Sequence, residues 1–175
     1  MGPQTLPRLV LGQNNMSATI LRTVEFLCLS LWLGADVFLS FVVAPGAFGV
    51  LGSRDAAGMM VGYVLTRLHF AGIFLGMLFL VARLLRTRDF GSVTTAAALS
   101  VVLMVVLTAA SQFTVSTRME QLKREMVSVQ NTPEDDPRRV AFNGWHRRSV
   151  MLESAVLLAG LAGMFFLVRE TVGEP

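Results

Sequence analysis

The stretch LRTVEFLCLSLWLGADVFLSFVVA, residues 21–44, is apolar apart from Arg22 and Glu25 near its start and Asp36 further along. Its length matches a helix that crosses the hydrocarbon core of a bilayer, which takes about 20 residues. A Pro-Gly pair at residues 45–46 follows and predicts the end of the helix. The stretch therefore predicts the first span of an integral membrane protein.

The composition of the whole chain agrees with a membrane protein. Of its 175 residues, 53% are hydrophobic and 15% are charged, and the mean hydropathy of +0.59 is too high for a soluble domain. The fifteen basic residues exceed the twelve acidic ones, but they flank apolar runs, so we expect contact with membrane lipid and no nucleic-acid partner. The single cysteine, Cys28, excludes an intrachain disulfide.

Three further apolar runs follow, each long enough to span a bilayer. The third leads into STRMEQLKREMVSVQ, residues 116–130, without a proline or glycine, so we expect its helix to continue beyond the membrane. We predict an all-α fold, an integral membrane four-helix bundle with the third helix extended into solvent. Its expected parts are an N-terminal tail at 1–20 and a four-span membrane domain at 21–170, with spans at about 21–44, 61–85, 92–114 and 145–168 and a soluble helical extension and loop at 115–144.

Four spans place both termini on one side of the membrane, here called side A, and the first and third connections on the other, side B. Arg83, Arg86 and Arg88 follow the second span on side A. Side B holds more basic residues, but many are interleaved with acidic ones in the long third connection. Weighting the short segments, we expect side A to face the cytoplasm, in a bacterial inner membrane.

Three titratable residues are expected inside the bilayer at a similar depth. Asp36, His69 and Glu153 each lie about eight residues from the side-B end of their span, which at 1.5 Å per residue is roughly 12 Å below the same interface. Ser111 and Gln112 lie near the side-B exit of the third span. We therefore expect a polar layer in which helices meet.

The stretch NGWHRRSVMLE, residues 143–153, supplies the fourth helix's contribution to this layer. It places His146, Ser149 and Glu153 on one helical face that enters the bilayer. We expect His146 and Ser149, together with Arg67 of the second span, to lie at the rim of the layer. Glu153 is expected to reach the layer itself, with His69 as its partner.

Several roles remain open for such a layer. A carboxylate that bonds to a histidine on another helix can fix how the helices pair, without further function. Asp36, His69 and Glu153 could also bind a metal ion or relay protons, because carboxylates and imidazole do both. A haem between His69 and His146 is conceivable, but the two residues differ in depth by roughly 10 Å. The cofactor, if any, is therefore unknown at this point.

Small residues predict where the helices pack most closely. Gly72 and Gly76 form a small-xxx-small pair in the second span, and Ala159 and Gly163 have the corresponding role in the fourth. Near the side-A interface, the spacing of Arg22 and Glu25 at i and i+3 predicts an ion pair within one helix.

With these residues in place, the chain resembles the transmembrane protein 205-like family of small four-span proteins (domain of unknown function 4149). The resemblance rests on Trp32, Gly34 and residues 38–45 in the first span, and on Leu68-His69 early in the second. It continues through RMEQLKRE, residues 118–125, to Phe142, His146 and Ser149 at the start of the fourth span. Family members commonly carry Asn at the position of Glu153. The resemblance implies a four-span fold and a polar layer, and no reaction.

Nucleophile-base pairs, phosphate loops and paired-cysteine motifs are all missing from the sequence. We therefore expect a non-enzymatic accessory or structural subunit of a membrane complex, or a homo-oligomer. The alternative is a small transporter, or a metal- or haem-binding redox protein, that uses the polar layer.

Overall fold

The part of the chain that the structure describes forms four long helical segments, here called rods. Together they confirm the predicted all-α bundle. The computed structural model describes the backbone of residues 6–172 and the side chains from residue 16 onward. Within that part of the chain there is no β-strand. The helices are α1 (Leu6–Phe38), α2 (Ala44–Val50), α3 (Arg54–Thr87), α4 (Ala96–Ala110), α5 (Thr117–Met126) and α6 (Pro137–Val172).

The rods Met16–Val50, Arg54–Thr87, Ala96–Met126 and Pro137–Val172 are long and apolar enough to cross a membrane. Many of their large apolar side chains face outward, as in helices that contact lipid tails. The chain is accordingly a small integral membrane protein. Since α1 begins at Leu6, much of the segment that the sequence predicts as a tail is helical.

The first rod does not end at residues 45–46, contrary to the sequence-based expectation. A π-helical turn, Leu39–Val43, joins α1 to α2, in which Pro45 lies in the first turn. Ala44 donates its backbone N–H to the carbonyl of Leu39, five residues earlier. Proline has no N–H and is tolerated in a first helical turn. The wider π turn lets the rod continue past Pro45 as far as Val50.

The second, third and fourth rods contact one another at their side-B ends, so the extension of the third rod is not an isolated helix. Its last helix, α5, packs against α6. The first turn of α3 holds the following loop, because the Asp55 carboxylate accepts hydrogen bonds from the Ser128 hydroxyl and from the backbone N–H of Val129 and Gln130. Proline at position 137 then starts α6, a position that suits its missing N–H.

Asp136 immediately precedes α6 and fixes its start. Its carboxylate accepts hydrogen bonds from the Nε and Nη2 atoms of Arg138 and from the Arg138 backbone N–H. The bond to the Arg138 side chain, followed by that to its backbone, lowers the pKa of Asp136 to about 2. This carboxylate therefore stays ionised throughout the neutral range.

The rods are arranged as a square around one apolar core. Neighbouring pairs are α1 with α3, α3 with α4, α4 with α6, and α6 with α1. Hence α3 and α6 face each other across one diagonal, and α1 and α4 across the other. Towards side A, the centre is filled by buried apolar side chains from every rod, including Leu29, Trp32, Phe79, Met104 and Val156.

The glycines predicted as packing positions are used within the bundle. An added Cβ at Gly72 would lie 2.4 Å from the Trp32 ring, and one at Gly76 would lie 2.8 Å from the same ring. On α6, a Cβ at Gly163 would lie 3.1 Å from Ser100, and Ala159 is buried. These four small residues are therefore occupied by intramolecular contacts and do not offer a free face to a partner.

Candidate functional site

A histidine and a glutamate meet across the centre of the bundle. Nε2 of His69, on α3, lies 2.7 Å from Oε1 of Glu153, on α6. The two helices are diagonal partners, so this bond is made by side chains that reach through the middle of the square. The His69 side chain is only 2% exposed, whereas that of Glu153 is 18% exposed. The pair thus connects the buried centre with the outside.

The third rod supplies two further groups to the same layer. Gln112 Oε1 lies 2.8 Å from His69 Nδ1, and the Ser111 hydroxyl donates to Glu153 Oε1 over 3.1 Å. Both residues belong to a second π-helical segment, Ser111–Ser116, between α4 and α5. Such π segments are frequent at functional sites. Here the segment brings two consecutive side chains into contact with the pair.

Two polar groups beside this network have no hydrogen-bond partner among the residues that the structure describes. They are Oδ2 of Asp36, on α1, and the hydroxyl of Thr108, on α4. Asp36 is 5% exposed and Thr108 is 1% exposed. The charges of Glu153 and His69 act on the Asp36 carboxyl, which places all three groups in one electrostatic neighbourhood. Asp36 is therefore a buried acid with one oxygen, Oδ2, that has no hydrogen-bond partner among the described residues.

The hydrogen bonds of His69 are compatible with two states of the ring that differ by one proton. When Gln112 Oε1 and Glu153 Oε1 both accept, both ring nitrogens donate and the imidazolium pairs with a carboxylate. When the Gln112 amide is reversed, its NH2 group donates to Nδ1, and the neutral ring donates only to Glu153. Gln112 can therefore stabilise the histidine with or without its second proton.

The residues expected at the rim do not join this network. Arg67 is exposed and stacks over Tyr63, with its guanidinium carbon 4.7 Å from the ring centroid. His146 is exposed and stacks on Phe142 with a centroid distance of 6.4 Å. Ser149 is buried below them. These side chains lie on the side-B surface or beneath it, without contacting His69.

The metal and haem hypotheses need side-chain ligands that are free to coordinate. Among the described residues, no three His, Cys, Asp or Glu side chains are placed to hold a metal. Both ring nitrogens of His69 are engaged by Gln112 and Glu153, so ligation would break one of these bonds. His146 stacks on its own helix at the surface. The metal site at Asp36, His69 and Glu153 stays a prediction.

A second polar network closes the bundle at side A, and only part of it could be predicted from the sequence. Glu25 is fully buried and accepts hydrogen bonds from Arg83 and Arg86, at 3.2 Å and 2.6 Å. Arg83 also donates to Glu170, to the Thr95 hydroxyl and to the carbonyl of Ser92. These bonds join the first, second and fourth rods to the segment just before α4, whose N-cap is Thr95, and every donor nitrogen of Arg83 is used.

This network corrects the expectation for Glu25. Its charge partners are arginines on α3, where the i, i+3 spacing had predicted Arg22 on the same helix. The sequence signal for the correct pairing was depth, since Glu25 and Arg83 both lie near the side-A end of a span. Arg83 and Arg86 were also counted as surface charges for the orientation, but both serve internal ion pairs. The orientation therefore stays a prediction.

A family model described as a domain of unknown function (DUF4149) matches residues 27–128, which is more than half of the chain. The chain belongs to the DUF4149 family. The matched region includes Asp36, His69 and Gln112, whereas Glu153 lies outside it. The comparisons with curated proteins and with solved structures gave no match. DUF4149 membership thus agrees with a small membrane protein and assigns no activity to the layer.

Proposed function

We propose that this DUF4149 protein is a non-enzymatic membrane protein that binds and releases protons at its polar layer. The observation that carries the proposal is the buried, unpaired carboxyl oxygen of Asp36. A carboxylate with a purely structural role would be paired, as Glu25 is by two arginines. An unpaired acid inside a membrane is costly, and such residues commonly belong to proton or ion pathways.

Protons would reach the layer from side B. The Glu153 side chain is more exposed than that of His69, at 18% against 2%. When Gln112 Oε1 accepts from the Nδ1–H of a neutral His69, Nε2 is free to take a proton that arrives at Glu153, and the result is the imidazolium–carboxylate pair. The charges of both residues act on Asp36, so each protonation changes the electrostatic free energy of the buried carboxyl.

Apolar side chains fill the core between the layer and side A. Among the described residues they include Leu29, Trp32, Phe79 and Met104. Protons cannot cross such a core without a conformational change. The proposal is therefore proton binding from one side, as in a pH-responsive or proton-linked protein, and it does not include a constant proton leak.

The proposal is tested by infrared difference spectroscopy of the protein in lipid, recorded between neutral and acidic pH. Protonation of a buried carboxyl gives a distinct carbonyl band in such spectra. We expect the wild-type protein to show this band and Asp36→Asn to lose it. Asp135→Asn, which removes an acid from the exposed loop, is the matched control and should leave the band unchanged.

A second candidate function, that of an accessory subunit, is favoured by glycines on the outer face of the first rod. Gly34, Gly46 and Gly49 are exposed, and an added Cβ at each would meet nothing within 4 Å. Glycine inside a helix is destabilising unless close approach is needed, and exposed small residues allow another membrane helix to pack. We also propose the narrower assignment of the chain to the transmembrane protein 205-like family.

The subunit role predicts a specific complex in mild detergent. Native mass spectrometry should find a dimer or a copurifying membrane subunit, and Gly46→Leu should reduce that species, since the larger side chain prevents close packing. A stable, lone monomer that is indifferent to Gly46→Leu would count against the subunit role, and it would leave proton binding unaffected.

A further inference from the structure

A groove on the outside of the bundle lies at the side-B membrane boundary. It runs between the third rod and α6, has a volume of about 300 Å³, and is open to the surroundings. Its lining residues are Phe113, Thr114, Thr117, Arg118, Gln121 and Trp145. None of these residues takes part in the hydrogen bonds among His69, Gln112, Ser111 and Glu153.

The lining changes from apolar to polar along the helix axis. Phe113 follows Gln112 directly, so it lies at the depth of the polar layer, and its side chain is 63% exposed. Gln121 lies eight residues further along, roughly 12 Å higher at 1.5 Å per residue. Trp145 precedes Glu153 by eight residues and reaches a similar height, where tryptophans of the aromatic belt lie. The groove therefore spans the passage from hydrocarbon to headgroup depth.

The polar end of the groove carries positive charge. Arg118 is exposed there and hydrogen-bonds to Gln121 over 3.0 Å. Arg148 stacks over Trp145, with its guanidinium carbon 4.5 Å from the ring centroid, which holds a second cation beside the groove. Thr114 and Thr117 also line the groove, and the Thr114 hydroxyl donates to the carbonyl of Ala110. Guanidinium groups match the phosphate oxygens of a lipid.

From this graded lining and its charge, we infer that the groove binds one anionic phospholipid. The part of an acyl chain nearest the headgroup would lie against Phe113 and the face of the Trp145 ring. The phosphate would lie between Arg118 and Arg148. A zwitterionic lipid offers the same acyl chain, but its own cationic headgroup would oppose the two arginines, so charge sets the preference.

The inference is tested by native mass spectrometry of the full chain, purified with a mixture of phosphatidylglycerol and phosphatidylcholine. We expect the wild-type protein to retain phosphatidylglycerol in preference to phosphatidylcholine. Arg118→Gln should lower the retained phosphatidylglycerol about fivefold, which is the change that one basic residue at a membrane surface produces. Arg148→Gln is expected to act in the same direction.

Arg124→Gln is the matched control, because Arg124 is an exposed arginine on α5 that does not line the groove. It should leave the retained lipid unchanged. Equal retention of the two lipids by the wild-type protein would overturn the inference. The same holds if Arg118→Gln and Arg124→Gln have equal effects, since lipid would then follow the net charge and not the groove.

Discussion

Replacing Glu25 with glutamine is expected to lower the free energy of unfolding by about 3 kcal/mol, the lower end of the range for breaking a buried ion pair. The substitution keeps the shape of the side chain and removes its charge. Arg86 and Arg83 then lose the charge of the carboxylate that they contact at 2.6 Å and 3.2 Å, while both guanidinium side chains stay largely buried. Reversible unfolding of the protein in mixed micelles measures the change.

The matched control is Glu120→Gln. Glu120 also pairs with a basic residue at 2.7 Å, Lys123, but its side chain is 55% exposed. Such a surface pair contributes less than about 1 kcal/mol. The double variant Glu25→Gln/Arg86→Gln should cost less than the sum of the two single substitutions, because the two residues share one ion pair. Similar losses for Glu25→Gln and Glu120→Gln would contradict the structural role of the side-A network.

Replacing Gly72 with alanine is expected to destabilise the bundle, although alanine is the better helix former. The new Cβ would lie 2.4 Å from two atoms of the Trp32 ring, which is itself 1% exposed and has no space to move. Overpacking of a well-packed core costs about 1–3 kcal/mol. The same unfolding measurement as for Glu25 gives the value.

Gly34→Ala, on the neighbouring helix α1, is expected to have the opposite effect on stability. Nothing lies within 4 Å of a Cβ added at Gly34, so the helix propensity of alanine is expected to dominate and to stabilise the protein by about 0.5–1 kcal/mol. Gly72→Ala should cost less in a Trp32→Leu background than in the wild-type protein, since the clashing ring is then absent. An equal rise in the free energy of unfolding for Gly72→Ala and Gly34→Ala would contradict the packing of Trp32 against α3.

Much of the fold could be predicted from the sequence because membrane spans have a strong and simple signal. Four apolar runs of sufficient length determine four helices, and counting residues from their ends gives the depth of a side chain. Depth alone placed Asp36, His69 and Glu153 at one level. It could not show that His69 and Glu153 touch, because that depends on how each helix is rotated about its axis.

Other features escaped prediction for local reasons. The passage of the first rod through Pro45 depends on a π turn, which leaves no sequence pattern of its own. The pairing of Glu25 with Arg83 and Arg86 joins residues about 60 positions apart, and a helical spacing rule favours the nearer Arg22. The first case depends on local helix geometry, and the second on tertiary contacts.

The contrast between the two polar layers is the central feature of this protein. At side A, the buried Glu25 is fully paired, which suits a structural role. At side B, His69 and Glu153 form a chain of hydrogen bonds, and the carboxyl of Asp36 beside them has an oxygen without a partner. A four-span protein needs only the first kind of layer to hold its helices together.

The most direct test of proton binding is the infrared pH-difference spectrum of the wild-type protein in lipid, compared with that of Asp36→Asn. The account predicts a buried-carboxyl band that appears on acidification, disappears on return to neutral pH, and is missing in Asp36→Asn. A wild-type spectrum without this band, or a band that persists unchanged in Asp36→Asn, would contradict it.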